Sequence, residues 1–172
     1  MSDVKLGLGR STGMFYHAPA GTALPTSLST DLPAAWVDAG DVTDAGITLA
    51  MDKSVTNLRN WANQIKRSIL TEHSETIQSP LMNTTEEALN VVVGEDNVTV
   101  ANDVITVNLS DGKLPPEEAF LWVMKDGDDL IAIGCSKGQV TAVDNVSFAP
   151  NNAINWTPTI TALDEGFKLI ME

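Results

Sequence analysis

Basic residues, histidine, cysteine and aromatic rings are all scarce in this chain, and each shortage argues against a class of function. Ten Lys and Arg stand against 23 Asp and Glu, for a formal charge of −13. That excess repels phosphate backbones and anionic headgroups, so neither DNA binding through a basic patch nor electrostatic membrane attachment fits. A surface past which DNA slides without sticking remains compatible. The single cysteine, Cys135, rules out an intrachain disulfide. It lies in the apolar run Leu130–Cys135, where a thiol behaves as a small buried hydrophobe with a raised pKa. Aromatic residues make up 5% of the chain, too few to line the cavity of a ligand-binding barrel. No apolar run approaches the roughly 18 residues needed to span a bilayer. Residues 1–6 show no basic region followed by an apolar stretch, so the expectation is a chain without a signal peptide, folded in a cytoplasm.

Catalytic and metal chemistry find little material. The two histidines are His17 and His73, and no His-x-x-His, Cys-x-x-Cys or His-Glu-x-x-His spacing is present. His73 stands between Glu72 and Glu75, a combination that could serve a metal or a proton transfer. Its surroundings read instead as an exposed strand of mixed charge. No Gly-x-Ser-x-Gly elbow occurs. Gly7, Gly9 and Gly13 miss the dinucleotide-loop spacing by one residue, and no apolar strand precedes them. The acidic turn Asp126-Gly-Asp-Asp129 lacks the length and distal glutamate of a calcium loop. The expectation is therefore no catalytic residue, no cofactor and no metal.

What is present is ordinary globular material: 43% hydrophobic and 19% charged residues, in a length that suits one domain. Residues 1–34 are broken by Gly and Pro and read as an N-terminal arm, leaving a single domain over 35–172. Ile47–Met51 alternates as a strand does. From 53 to 67, Val55, Leu58, Trp61, Ala62 and Ile65 recur at helical spacing, and a strand-and-turn competes with a helix there. The same stretch holds Lys53, Arg59, Lys66 and Arg67 with no acid among them. Residues 68–77 read as an extended strand region. Thr84-Thr-Glu-Glu87 has the form of a capping box, followed by an apolar stripe and Gly94, which predicts a helix over 85–93. Strands are predicted at 98–100, 104–109, 119–125 and 130–135, the last two joined by an Asp-Gly turn. After a turn at Lys137-Gly138 come strands at 140–143, 146–148, 156–163 and 167–171. The sum is a mainly β chain: a β-sandwich or barrel with one flanking helix, an arm, and an extended insertion at about 50–80.

The segment Trp36-Val-Asp-Ala-Gly40-Asp-Val-Thr-Asp-Ala-Gly46-Ile47 resembles the early signature of tail tube proteins of long-tailed bacteriophages. In that family an arm ending in something like Ala20–Pro25 leads to a Trp-x-x-x-Gly turn, then to a second turn like Gly46-Ile47. A tryptophan (Trp61), a Thr-Glu pair (Thr71-Glu72) and a helix ending at glycine (Glu86–Gly94) follow in the same order. The resemblance implies subunits that form hexameric rings, stacked into a hollow conduit for the genome. It implies a place in the virion tail after synthesis in the bacterial host, with itself, a tape measure protein, a tail terminator and baseplate proteins as partners. DNA would pass through without specific binding. On this reading Lys53, Arg59, Lys66 and Arg67 are candidate inter-ring contacts, and Asp126, Asp128 and Asp129 are candidate lumen-facing acids. An immunoglobulin-like decoration or adhesion domain on a virion or cell surface is the main alternative. A tube protein of a related injection machine is another.

Overall fold

The computed structural model describes residues 4–11 and 13–172. Its frame is a long central hairpin made by the eighth and ninth strands in chain order, β8 (Glu118–Asp126) and β9 (Asp129–Val143). The turn between them places Gly127 at φ 62°, a left-handed conformation that glycine adopts without a Cβ clash. Two short strands, β1 (Leu8–Gly9) and β2 (Phe15–Pro19), pair end to end along the outer edge of β8. Two others, β10 (Pro158–Ala162) and β11 (Lys168–Met171), do the same along β9. Beyond β2 lies β3 (Val37–Gly40). Beyond β10 lie β5 (Ile65–Gln78) and then β4 (Thr48–Arg59). Every pairing is antiparallel, and β6 (Val98–Ala101) with β7 (Val104–Val107) forms a separate small hairpin.

β8 is buried from Ala119 through Val123 without alternation, because both of its faces are covered. One face turns Phe120 and Trp122 into the main core, with Phe15, Ile77, Cys135, Val140 and Ile160. The helix α1 (Glu86–Val93) closes that core with Ala88, Leu89, Val91 and Val92. The other face of β8, carrying Ala119, Leu121 and Val123, lies under Leu28 and Trp36, with Leu24 and Leu32 packed alongside. The result is a sandwich-like layering around one open sheet rather than a closed barrel.

Several sequence expectations change here. The first three residues of the expected arm, and Thr12 within it, lie outside the described residues. Much of the rest is built into the fold: residues 15–19 are a sheet strand, and Phe15 is fully buried. The leucines between residues 20 and 34 are needed to cover the second face of β8. The stretch 53–67, where helix and strand competed, is a β-hairpin. The helix begins one residue later than expected, because Thr85, not Thr84, accepts the amide hydrogen of Ala88 at its N-cap. Thr84 instead accepts the indole N–H of Trp156 at 3.4 Å. The expected turn at Lys137-Gly138 is absent, and β9 runs straight through it. Gly138 is required by close packing, since a Cβ there would lie 2.9 Å from the Cys135 sulfur. Residues 146–148 form no strand.

Because residue 17 is a strand residue, His17 is buried between two elements. Its Nδ1 lies 3.2 Å from Glu118 of β8, and its Nε2 lies 3.5 Å from Glu87 of α1. Burial opposes the charged ring, but the Glu118 hydrogen bond and the two carboxylate charges outweigh it and raise the pKa. A raised folded-state pKa stabilises the protonated form, so the contribution is complete below the unfolded value of about 6.5 and is lost as pH rises through the folded value. The difference in urea midpoint between wild type and His17→Gln should therefore be larger at pH 5.5 than at pH 8.5. An equal difference at both pH values would show that the pair of glutamates does not hold the charge.

Candidate assembly interface

The β4–β5 hairpin stands apart from everything else in the molecule. β5 pairs with a strand of the body only where Thr76, Ile77 and Gln78 meet β10. Past those residues the two strands pair only with each other, from Met51↔Glu75 out to Arg59↔Ile65. At about 3.3 Å per residue, β4 alone is roughly 40 Å long. Every residue of β4 is exposed, as is β5 from Ile65 to Ser74. The tip carries hydrogen bonds of its own. Asn60 Oδ1 accepts the Gln64 amide hydrogen at 2.9 Å, and the Arg59 guanidinium donates to the Asn63 carbonyl at 2.9 Å.

An isolated two-stranded ribbon is marginal in water, and this one is rich in apolar side chains with nothing over them. Met51, Val55, Leu58, Ile65 and Leu70 are each at least half exposed, and Trp61 at the tip is 105% exposed. Such contiguous apolar surface marks a contact site. Among the described residues the outer edge of β4 is also unpaired, as is that of β3 at the opposite end of the sheet. Long open edges invite pairing with another chain.

The structure brings Lys53, Arg59, Lys66 and Arg67 together on this one hairpin, all exposed. Sequence reasoning found the cations but missed the apolar residues that accompany them as an interface. Their helical spacing disguised them; the signal available was that the same residues also suit a strand with local irregularities. Asp126, Asp128 and Asp129 lie elsewhere, at the β8–β9 turn. Two of them are engaged by the N-terminal segment: Lys5 forms an ion pair with Asp129, and the Leu6 amide donates to Asp126 at 3.4 Å. The Lys5 hydrogen bond holds the Asp129 pKa below its usual value.

The other candidate chemistry is dispersed. Glu72 and Glu75 flank His73 in sequence, but strand alternation puts Glu72 on the opposite face. Glu75 accepts from His73 at 2.9 Å and from the Phe167 amide at 2.7 Å, so it ties the root of the hairpin to the loop before β11. The Phe167 bond is the main reason its pKa is lowered. Cys135 is fully buried, and burial pushes its thiol up to about 11. Among the described residues no three His, Cys, Asp or Glu side chains are grouped to hold a metal. A groove of about 600 Å³ between β1 and the 42–47 loop is lined by residues such as Leu8, Met14, Ile47 and Met124. Its character is mainly apolar.

A family model described as phage tail tube protein matches residues 8–172. No curated protein sequence matches the chain. Among solved structures, the cap that terminates the tube of the anti-feeding prophage is similar over 99% of this chain and 97% of its own, at 10% identity and a TM-score of 0.51. The tail of an empty GTA particle matches at 11% identity over 92% and 94% of the two chains, with a TM-score of 0.46. The sheath–tube complex of an extracellular contractile injection system in its extended state matches at 11% identity over 93% and 88%, with a TM-score of 0.49. The first of these shares the overall fold.

Proposed function

The chain belongs to the phage tail tube protein family and is a structural subunit of a tail tube; from that premise we propose that it forms hexameric rings that stack through the β4–β5 hairpin into a conduit for the genome. The observation that carries this reading is the hairpin itself, a projection whose apolar side chains have no cover within the subunit. Family membership also displaces the decoration-domain alternative. Self-association is the primary activity, with a tape measure protein, a tail terminator and baseplate proteins as the further partners. Assembly takes place in the bacterial host cytoplasm, and the chain performs no catalysis.

The net charge of −13 suits a wall that must not retain DNA, although screening confines that repulsion to about 8 Å at physiological salt. Asp126, Asp128 and Asp129 are retained as candidate lumen-facing acids, with the first and last of them held by the N-terminal segment. The cations of the hairpin meet acidic surface on the neighbouring ring. Each exposed ion pair there contributes only about 0–1 kcal/mol, but the contact repeats around every ring.

The test is negative-stain electron microscopy with light-scattering mass, over a range of protein concentrations. Wild type should give rings or hollow tubes. The double variant Lys66→Glu/Arg67→Glu should keep the wild-type melting temperature and fail to stack. Tubes of unchanged length in that variant would remove the cations from the inter-ring contact.

A further inference from the structure

The register of the hairpin separates its two faces, and their chemistry changes part-way along. Residues directly opposite in an antiparallel pair share a face, and alternate residues along a strand change face. One face begins at Ile77, which is fully buried in the main core, and continues outward through Leu49, Met51, Val55 and Leu70, with the Lys53–His73 pair between Met51 and Val55. It is the core face of the sheet extended past the edge of the body. The opposite face starts out polar, with Asp52 opposite Ser74 and Ser54 opposite Glu72. At that point β5 carries an extra residue, Thr71, whose hydroxyl bonds to the Ser54 carbonyl at 3.0 Å. Beyond this bulge the second face gains apolar residues as well: Ile69 and Leu58 lie on it, 39% and 50% exposed, opposite Thr56 and Arg67.

Resting on the assembly reading above, we infer that the hairpin is covered in two different ways. The root, up to the bulge, is covered on the core-continuous face only, and its Asp52–Glu72 face stays in water. The outer part, beyond the bulge, is clasped on both faces by a second copy of this chain. Two observations select that occupant. From residue 53 to residue 71 the only charged side chains are the four cations, while the chain as a whole carries −13. Every copy therefore offers acidic surface to a basic ribbon, and opposite potentials favour that pairing. The core-continuous face is also shaped as a sheet layer, which another copy's layers can extend.

Two substitutions on the same face separate this from a simple one-sided contact. Ile69→Glu and Ser74→Glu both add a carboxylate to the second face, one outside the bulge and one inside it. Neither site is buried in the lone subunit, so both variants should melt with wild type. In a pelleting assay read alongside electron microscopy, Ser74→Glu should form tubes as wild type does. Ile69→Glu should lose pelletable tube by about tenfold or more, because its charge is buried without a partner. Wild-type tubes together with normal Ile69→Glu tubes overturn the two-sided clasp alone, as does a block caused by Ser74→Glu. Wild type that stays monomeric throughout overturns the assembly reading and the clasp with it.

Discussion

Protein in which residues 52–74 are replaced by an Asn-Gly turn should remain folded and monomeric, and should make no tubes at any concentration. Met51 and Glu75 face each other in register, and a two-residue Asn-Gly turn has the twist that such a pair needs. The deletion keeps the Glu75 carboxylate, which anchors the root of the hairpin at the Phe167 amide. It removes no side chain of either core cluster. The melting temperature should therefore stay within about 4 °C of wild type, the shift that roughly 1 kcal/mol gives at this size. Assembly should be lost outright, since the deletion takes Trp61, the apolar side chains beyond Met51 and all four cations together. Tubes formed by the shortened protein would show that the open strand edges suffice, and that the hairpin has another purpose.

The second large effect concerns the subunit rather than the tube. Trp122→Ala should destabilise the fold by about 3–5 kcal/mol, the usual range for removing a buried aromatic side chain. Trp122 is 1% exposed and stacks on Phe15 with ring centroids 4.9 Å apart, while Phe167 meets it edge-on at 6.1 Å. Its indole N–H donates to Ser79 Oγ at 2.9 Å, joining β8 to the end of β5 inside the core. Such a loss lowers the melting temperature by roughly 6–20 °C in a domain of this size. It also takes a large share of a typical total stability of about 5–15 kcal/mol. Thermal unfolding followed by circular dichroism measures it directly. A drop of less than about 3 °C would mean that the Phe15 and Phe120 rings collapse into the space, and that the stack is looser than its geometry indicates.

The parts of the fold that were legible in the sequence are those whose signals are local. The Asp-Gly turn at 126–129 and the cap-stripe-glycine sequence around the helix each lie within a dozen residues, and both elements formed there. The hairpin was ambiguous for a physical reason. Strand alternation is visible when one face is buried within the chain, but here both faces of the hairpin beyond Glu75 are exposed. Bulges at Thr71 and Lys66 break the period further, leaving Val55, Leu58, Trp61 and Ile65 at spacings that also fit a helix. The segment after β2 was misread because glycine and proline mask its four buried or half-buried anchors, Leu24, Leu28, Leu32 and Trp36. A clue lay in β8, whose unbroken apolar run from Ala119 to Val123 requires cover on both faces. Of the candidate site, the cation cluster was legible as composition. Its apolar partners became visible only once the register was known.

The condition of Cys135 has a practical consequence for the assembled particle. A thiol that is fully buried and raised to about 11 is almost entirely protonated and out of reach of electrophiles at neutral pH. The native surface is then silent to maleimide chemistry, and no background residue has to be removed before labelling. A cysteine placed at one exposed position outside the hairpin would be the sole reactive thiol per subunit. A tube built from such subunits would carry its dyes, cross-linkers or spin labels at one fixed repeat along its length, as a ruler with chemically addressable marks.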